Sequence, residues 1–260
     1  MSAGALAGKR IVVTRPAGQA EALASLIRAA GGEALLVPAI EIRPLDDAGV
    51  AAFARFAARL GDFDLAVFVS RNAVQSGLRL LRETRGAKPW PARLRIATVG
   101  QGSRAALEAE GFTGVIAPAG RADSEGLLAR AELAGLRGKR VAILRGDAGR
   151  ELLGDELAKR GAEVEYVACY RRARPESGND PRLGRVRVDA VTVSSAEGLA
   201  NFLDMLGADA AAALARAPLF VPHPRVAEEA ARRGIANAVV AGPGDAEVAA
   251  ALVAYFGGAR

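Results

Sequence analysis

The chain reads as an α/β protein of two similar domains, each a five-stranded parallel sheet flanked by helices, joined by a two-stranded hinge. Three observations predict this. First, residues 136–172 repeat the start of the chain. A shift of 130 positions carries Leu6, Gly8, Lys9, Arg10, Arg15, Glu21, Leu23, Gly31, Glu33 and Val37 onto Leu136, Gly138, Lys139, Arg140, Arg145, Glu151, Leu153, Gly161, Glu163 and Val167 without a gap. A period that long suits two copies of one domain, not a solenoid. Second, short apolar runs alternate with amphipathic helical segments, the pattern of parallel strands buried on both faces. Third, the rest of the second half matches the first in a different order. A shift of 125 carries Asp64, Ser70, Leu78 and Leu81 onto Asp189, Ser195, Leu203 and Leu206, and a shift of 123 carries Gly111 onto Gly234.

The order of the matching units implies an inserted, circularly permuted duplicate. Residues 1–40 and 174–260 form a discontinuous first domain, 44–170 the inserted second, and 40–46 with 170–176 the hinge. A protein so built is expected to have its cleft between the lobes, facing the C-terminal ends of the strands. A hinge of two strands also predicts domain motion on ligand binding.

Each element has its own signal. Ile11–Thr14 is a strand bounded by Arg15-Pro16, and a helix from about Gln19 to Ala30 is closed by Gly31-Gly32. Ala34–Ala39 is the second strand, and Ile40-Glu41-Ile42-Arg43 alternates as an exposed connection does. A helix over Asp47–Leu60 precedes the strand Asp64–Ser70 and the helix Asn72–Arg85. Pro89 and Pro91 mark a loop. Ile96–Val99 is a strand, Gly100-Gln101-Gly102-Ser103 opens a helix, Val115–Ala117 is a strand and Ser124–Leu133 a helix. After the repeated unit, residues 173–181 have loop composition. Asp189–Ser195, Leu219–Pro222 and Ala238–Ala241 are strands; Leu199–Leu206, Arg225–Arg233 and Asp245–Phe256 are helices.

Composition narrows the function. Of 260 residues, 51% are apolar and 25% charged, a globular balance. No uninterrupted apolar run approaches the roughly 20 residues of a membrane helix; the stretch from Met205 to Val221 is broken by Asp209 and Arg216. The opening MSAGALAGKRIVVTR does not resemble a signal peptide, so a cytoplasmic location is expected. One cysteine, Cys169, and one histidine, His223, argue against disulfides, zinc clusters and Cys–His nucleophiles. Cys169 sits in an apolar strand, as a small buried hydrophobe would. The net charge is +6, yet three tyrosines, eight phenylalanines and one tryptophan are few for nucleic-acid binding. Neither a nucleic-acid nor a membrane partner is expected; the positive excess suits an anionic small molecule.

The ends of the strands carry what chemistry there is. Ser70 and Ser195 end strands at helix starts, Gly100 opens a helix, and Ser103 lies just inside it. Hydroxyls and free amides at helix N-termini bind carboxylates or phosphates; the plainer role of each serine is an N-cap. Arg15 and Arg145 match between the copies, either as salt-bridged surface residues or as anion ligands. Tyr170 is followed by Arg171 and Arg172, and a phenol beside cations can donate a proton; interdomain packing is the alternative. Gly100-x-Gly102-x-x-Ala105 is a poor dinucleotide fingerprint because no acidic residue ends the following strand. Gly146-Asp147-Ala148-Gly149-Arg150 lacks the ending of a P-loop.

Together, Val12-Val13-Thr14-Arg15-Pro16, Phe68-Val69-Ser70-Arg71-Asn72-Ala73-Val74, Val99-Gly100-x-x-Ser103, Gly149-Arg150-Glu151-x-Leu153, Tyr170-Arg171-Arg172 and Val193-Ser194-Ser195 resemble the uroporphyrinogen-III synthase family, in order and spacing over nearly the whole chain. The resemblance implies a cyclising hydro-lyase. It would convert hydroxymethylbilane, a linear tetrapyrrole with eight carboxylates, to uroporphyrinogen III with loss of water and inversion of ring D. Tyr170 would be the catalytic residue, assisting departure of the hydroxyl. Arg15, Ser70, Gly100, Ser103, Arg150, Ser195 and Arg225 form the expected substrate-binding set. Where the family often has a second Gly-x-x-Thr, this chain has Val221-Pro222-His223-Pro224-Arg225-Val226, which raises the question whether Arg225 takes over that contact. No cofactor or metal is implied, and the family is usually monomeric. Two other readings stand beside it: a non-catalytic binding or regulatory protein for an anionic small molecule, and a nucleotide-dependent enzyme.

Overall fold

A computed structural model describes residues 4–149, 151–176, 183, 186–206 and 217–258. Most of the loop expected at 173–181, and part of the 205–221 stretch, lie outside them. The chain divides into two compact units, Met1–Glu41 with Ala173–Arg260, and Ile42–Arg172.

The first unit holds a sheet of β1 (Arg10–Val13), β2 (Glu33–Leu36), β8 (Ala190–Thr192), β9 (Leu219–Val221) and β10 (Ala238–Val240), in the order β10-β9-β8-β1-β2. Every pairing in it is parallel. Successive side chains of a strand point to opposite faces, and both faces are covered. Val12, Val191 and Val221 pack with Leu199, Phe202 and Val226, from α7 (Ala196–Met205) and α8 (Pro224–Arg232). Ile11, Val13 and Phe220 pack on the other face with Leu23, Ile27 and Leu252, from α1 (Ala17–Ala29) and α9 (Asp245–Gly257). The buried positions of α1, Ala20, Leu23, Ala24 and Ile27, fall on one stripe of a 3.6-residue helix.

The second unit repeats this plan. Its sheet runs β3 (Glu41–Arg43), β7 (Glu163–Ala173), β6 (Arg140–Gly146), β4 (Leu65–Phe68), β5 (Arg95–Thr98). The pairings among β4, β5, β6 and β7 are parallel. Phe68, Leu144, Val167 and Cys169 face α2 (Asp47–Ala58), α3 (Arg71–Arg85) and α4 (Gln101–Ala109). Val67, Val141 and Ile143 face α5 (Ser124–Leu128) and α6 (Leu152–Lys159). The helix α3 packs tightly on the sheet at Gly77, where a Cβ would stand 3.2 Å from Leu144 and Phe68 and 3.3 Å from the sulfur of Cys169.

One strand is shorter than its sequence suggests. Val115–Ala117 makes a single parallel bridge, Ile116 to Ala97, with Thr98 N donating to Ile116 O at 2.8 Å and Ile116 N to Ile96 O at 2.9 Å. Gly114 turns with φ +66° just before it, and Pro118, which has no N–H to continue a ladder, follows it. The edge strand β3 completes the five. A β-bulge also interrupts the β6–β7 ladder: Arg145 is opposite Ala168, but Gly146 is opposite Tyr170, so Cys169 is the extra residue.

Each unit carries the same tie at the N-terminal ends of its strands. Asp64 accepts the N–H of Arg140 at 2.9 Å and lies 3.0 Å from Lys139 Nζ. Asp189 accepts the N–H of Arg10 at 3.0 Å and lies 3.8 Å from Lys9 Nζ. These are the same residues under the two shifts, so the repeat extends from pattern to hydrogen bonds.

Candidate functional site

Parallel strands bring the start of every following helix to one edge of their sheet. In the second unit, β4 ends at Phe68 and Ser70 caps α3: its Oγ accepts the N–H of Ala73 at 3.0 Å. The same Oγ lies 3.2 Å from the Oη of Tyr170. The tyrosine is 2% exposed, its ring lying over Gly146 and its carbonyl accepting the N–H of Asp147 at 3.0 Å. The structure thus joins the expected catalytic residue to one expected binding residue.

Beyond β5, α4 opens at Gly100, which offers no side-chain cap. The first amides of a helix have no intrahelical partner, so this end can receive an anion. Ser103 is 6% exposed in the first turn, its N–H donating to Gly100 O at 3.1 Å. Arg71, the first residue of α3, lays its guanidinium against Gly102, where a Cβ would stand 2.7 Å from its Nη2. Arg71 is exposed and makes no ion pair among the described residues. A cation at a helix N-terminus works against the helix dipole. Two positive ends and a guanidinium on one edge therefore favour an added anion. The sequence showed Arg71 only as part of a motif, with no role of its own; its place directly after an N-cap serine was the available signal.

The first unit repeats the backbone of this edge. Ser195 caps α7, accepting the N–H of Gly198 at 3.0 Å, with φ −161° and ψ 162° against −160° and 164° at Ser70. His223 starts α8 with φ −148° and ψ 151°, against −153° and 153° at Gly100, and neither makes a side-chain cap. This pairing puts Val226 where the second unit has Ser103, and Arg225 where it has Gly102. Arg225 is exposed, with no ion pair among the described residues. Arg15 is engaged: its Nη1 lies 2.9 Å from the carboxylate of Asp245 at the start of α9. Arg150 lies outside the described residues.

Two other groups raised by the sequence are occupied in the fold. Arg145 is 8% exposed, its guanidinium 4.8 Å from the ring centre of Tyr166. Cys169 is fully buried, and burial pushes its thiol up to about 12, so it stays protonated at neutral pH. Of the cations after Tyr170, Arg171 is directed elsewhere: its Nη1 reaches Asp46 at 2.8 Å. The backbone N–H of Arg172 donates to Asp147 at 3.1 Å. A cavity of about 530 Å³ bounded by residues such as Gly120, Arg121, Glu125 and Arg130 contains none of the expected site residues. Among the described residues no helix is long and apolar enough to cross a membrane.

Fold and site together define a duplicated α/β protein whose strand ends present hydroxyls, helix N-termini and arginines not engaged in ion pairs among the described residues, a class suited to polyanionic small molecules. The comparisons narrow the class. The family model for uroporphyrinogen-III synthase HemD matches residues 21–248, and the chain belongs to that family. It is 38% identical over 162 residues to the uroporphyrinogen-III synthase of Salmonella typhimurium and 37% to that of Escherichia coli; each match spans 62% of this chain and 64% of the relative, a little under two thirds of its length. A putative uroporphyrinogen-III synthase of Methanothermobacter thermautotrophicus is 30% identical over 210 residues, 76% of this chain and 78% of that one. Among solved structures, a mutant uroporphyrinogen III synthase from Thermus thermophilus has a TM-score of 0.62 at 20% identity, covering 95% of this chain and 97% of that one. The Helicobacter pylori uroporphyrinogen-III synthetase has a TM-score of 0.58 at 14% identity, covering 92% and 96%. At those identities the two structures speak for the fold.

Proposed function

We propose that the protein is a lyase that closes hydroxymethylbilane to uroporphyrinogen III in tetrapyrrole biosynthesis. The observation that carries the reading is the Tyr170–Ser70 pair, 3.2 Å apart at the C-terminal edge of the second unit's sheet. In this reading the Tyr170 phenol gives its proton to the terminal hydroxyl of the substrate, which leaves as water. The resulting azafulvene is attacked by the substituted carbon of ring D, forming a spiro intermediate whose cleavage and reclosure invert that ring. A proton lost as the macrocycle becomes neutral balances the one given. Uncatalysed closure gives the uninverted type I isomer, so the protein's task is chiefly orientation. That suits a sheet edge rich in anion donors and poor in other catalytic groups.

The carboxylate ligands proposed are Ser70, Gly100, Ser103 and Arg71 in the second unit and Ser195 and Arg225 in the first. Arg15 would have to release Asp245 to join them. Arg150 is kept in the set by its motif. The reaction would need no cofactor, and the protein would act as a cytoplasmic monomer. A binding protein without catalysis draws support from one feature, the replacement of the second hydroxyl site by Val226. An isomer assay separates the two. Freshly made hydroxymethylbilane is supplied, the products are oxidised, and type I and type III uroporphyrins are resolved by chromatography. Type III as the main product without added cofactor is expected; type I alone, at the rate of buffer, would leave the binding protein.

A further inference from the structure

We infer that the bulge at Cys169, together with the absence of a side chain at Gly146, is the device that aims the Tyr170 phenol at Ser70. The inference rests on the reading of Tyr170 as the proton donor. Strict alternation along β7 places Val167 and Cys169 on the face of α2 and α3, and Tyr166 on the opposite face, where its Oη donates to Glu151 O at 2.9 Å. Without the bulge, Tyr170 would follow Tyr166 and face away from Ser70. The ladder instead passes from Arg145–Ala168 to Gly146–Tyr170, and Tyr170 joins Val167 and Cys169 in one buried cluster. Bulges next to active sites often re-aim a side chain in this way. The redirected ring needs room, and Gly146 supplies it: a Cβ there would stand 3.0 Å from Cε2, 3.2 Å from Cζ and 3.4 Å from Oη of Tyr170. Gly146 and Cys169 are positioning residues, acting through the phenol.

A double-mutant cycle tests this. Gly146→Ala is expected to lower kcat for type III formation about tenfold with KM within about twofold, since displacing a reacting group by a fraction of an ångström costs rate before affinity. In a Tyr170→Phe background the same change is expected to cost nothing further, because coupled residues are non-additive. A crystal structure of Gly146→Ala should show the Tyr170–Ser70 bond broken. Gly77→Ala presses on the bulge from the helix side, through the sulfur of Cys169, and is helped to fold by alanine's helix propensity. The same pattern with a smaller amplitude is expected from it. Equal losses in both backgrounds, or an unchanged Tyr170–Ser70 distance, would overturn the inference while leaving the reaction intact. An unaltered protein that yields only type I would instead bring down the reaction and this inference with it.

Discussion

The two units share a core of four matched parallel strands and the backbone turns into two matched helices, and they differ in their fifth strand and in the side chains at their strand ends. The 130-residue shift that pairs Arg10 with Arg140 also pairs Ile40 with Tyr170. Both are buried beside an N-cap serine of their own unit. A Cβ on Gly198, itself 3.3 Å from Ser195 Oγ, would lie 3.5 Å from Ile40 Cδ1, while Tyr170 Oη lies 3.2 Å from Ser70 Oγ. Ser103 is matched by Val226 across the comparison, and Arg71 by Ala196. The first unit keeps the caps and gives up the phenol and the second hydroxyl. Backbone geometry is held by packing and the Asp64 and Asp189 ties, whereas side chains at loop starts can change without disturbing a core. The duplicate therefore teaches which groups fold the sheet and which are left for chemistry.

The sharpest break in the comparison should come from the unlike pair. Tyr170→Phe is expected to lower kcat for type III about 100-fold, the modest end of general acid catalysis. Ile40→Val should leave the rate unchanged and cost only about 1 kcal/mol of stability. Equal rate losses in both would mean that Tyr170 serves only packing. Next come the arginines. Arg71→Ala and Arg225→Ala should each raise KM about tenfold at constant kcat, the scale of one lost charge-assisted hydrogen bond. Arg15→Ala should do less, because Asp245 already holds it. Initial rates against substrate concentration decide this, and an unchanged KM removes the residue from the binding set.

A smaller effect separates cap from catalyst. Ser70→Ala and Ser195→Ala each lose a cap worth about 1 kcal/mol, and melting temperatures should fall alike by roughly 2–4 °C. Ser70→Ala alone should also lower kcat. The subtlest difference concerns acid. The Arg140 N–H above all, then Lys139, hold the Asp64 carboxyl below its ordinary value. A carboxylate with a depressed folded pKa stabilises above its unfolded pKa, and that contribution is lost as pH falls through the folded one. Asp64→Asn should therefore melt below the parent at neutral pH, with the gap closing as pH falls below about 4. A gap of constant width would show that the charge contributes nothing.

The repeat was legible because it is written in residue types under strong constraint: positive-φ glycines such as Gly31 and Gly161, apolar strands, and paired Asp and Arg at strand starts. The serines at 70 and 195 were legible because helices need caps, and Ser103 because a strand followed by Gly100 and Gly102 marks the opening of its helix. The bulge was not, because Val167-Ala168-Cys169-Tyr170 reads as an unbroken strand and nothing in it marks where alternation fails. Nor was the weakness of Val115–Ala117, where the flanking Gly114 and Pro118 outweigh three apolar residues. Arg225 was legible from its place in the stretch that stands where the family often has a second Gly-x-x-Thr, whereas Arg71 stood in a motif with no role of its own until the structure laid its guanidinium against Gly102.

The pairing of β1 with β8 has a consequence for how the molecule is made. Arg10 bonds to Asp189 across 179 residues, so the first sheet cannot close until most of the chain has been synthesised. At 5–20 residues per second, that leaves the N-terminal β–α–β unit waiting for roughly ten to forty seconds. During that time the inserted unit, whose strands are contiguous in sequence, can complete its own sheet. Folding order then departs from sequence order: the middle of the chain folds first, and the segments on either side of it find each other last.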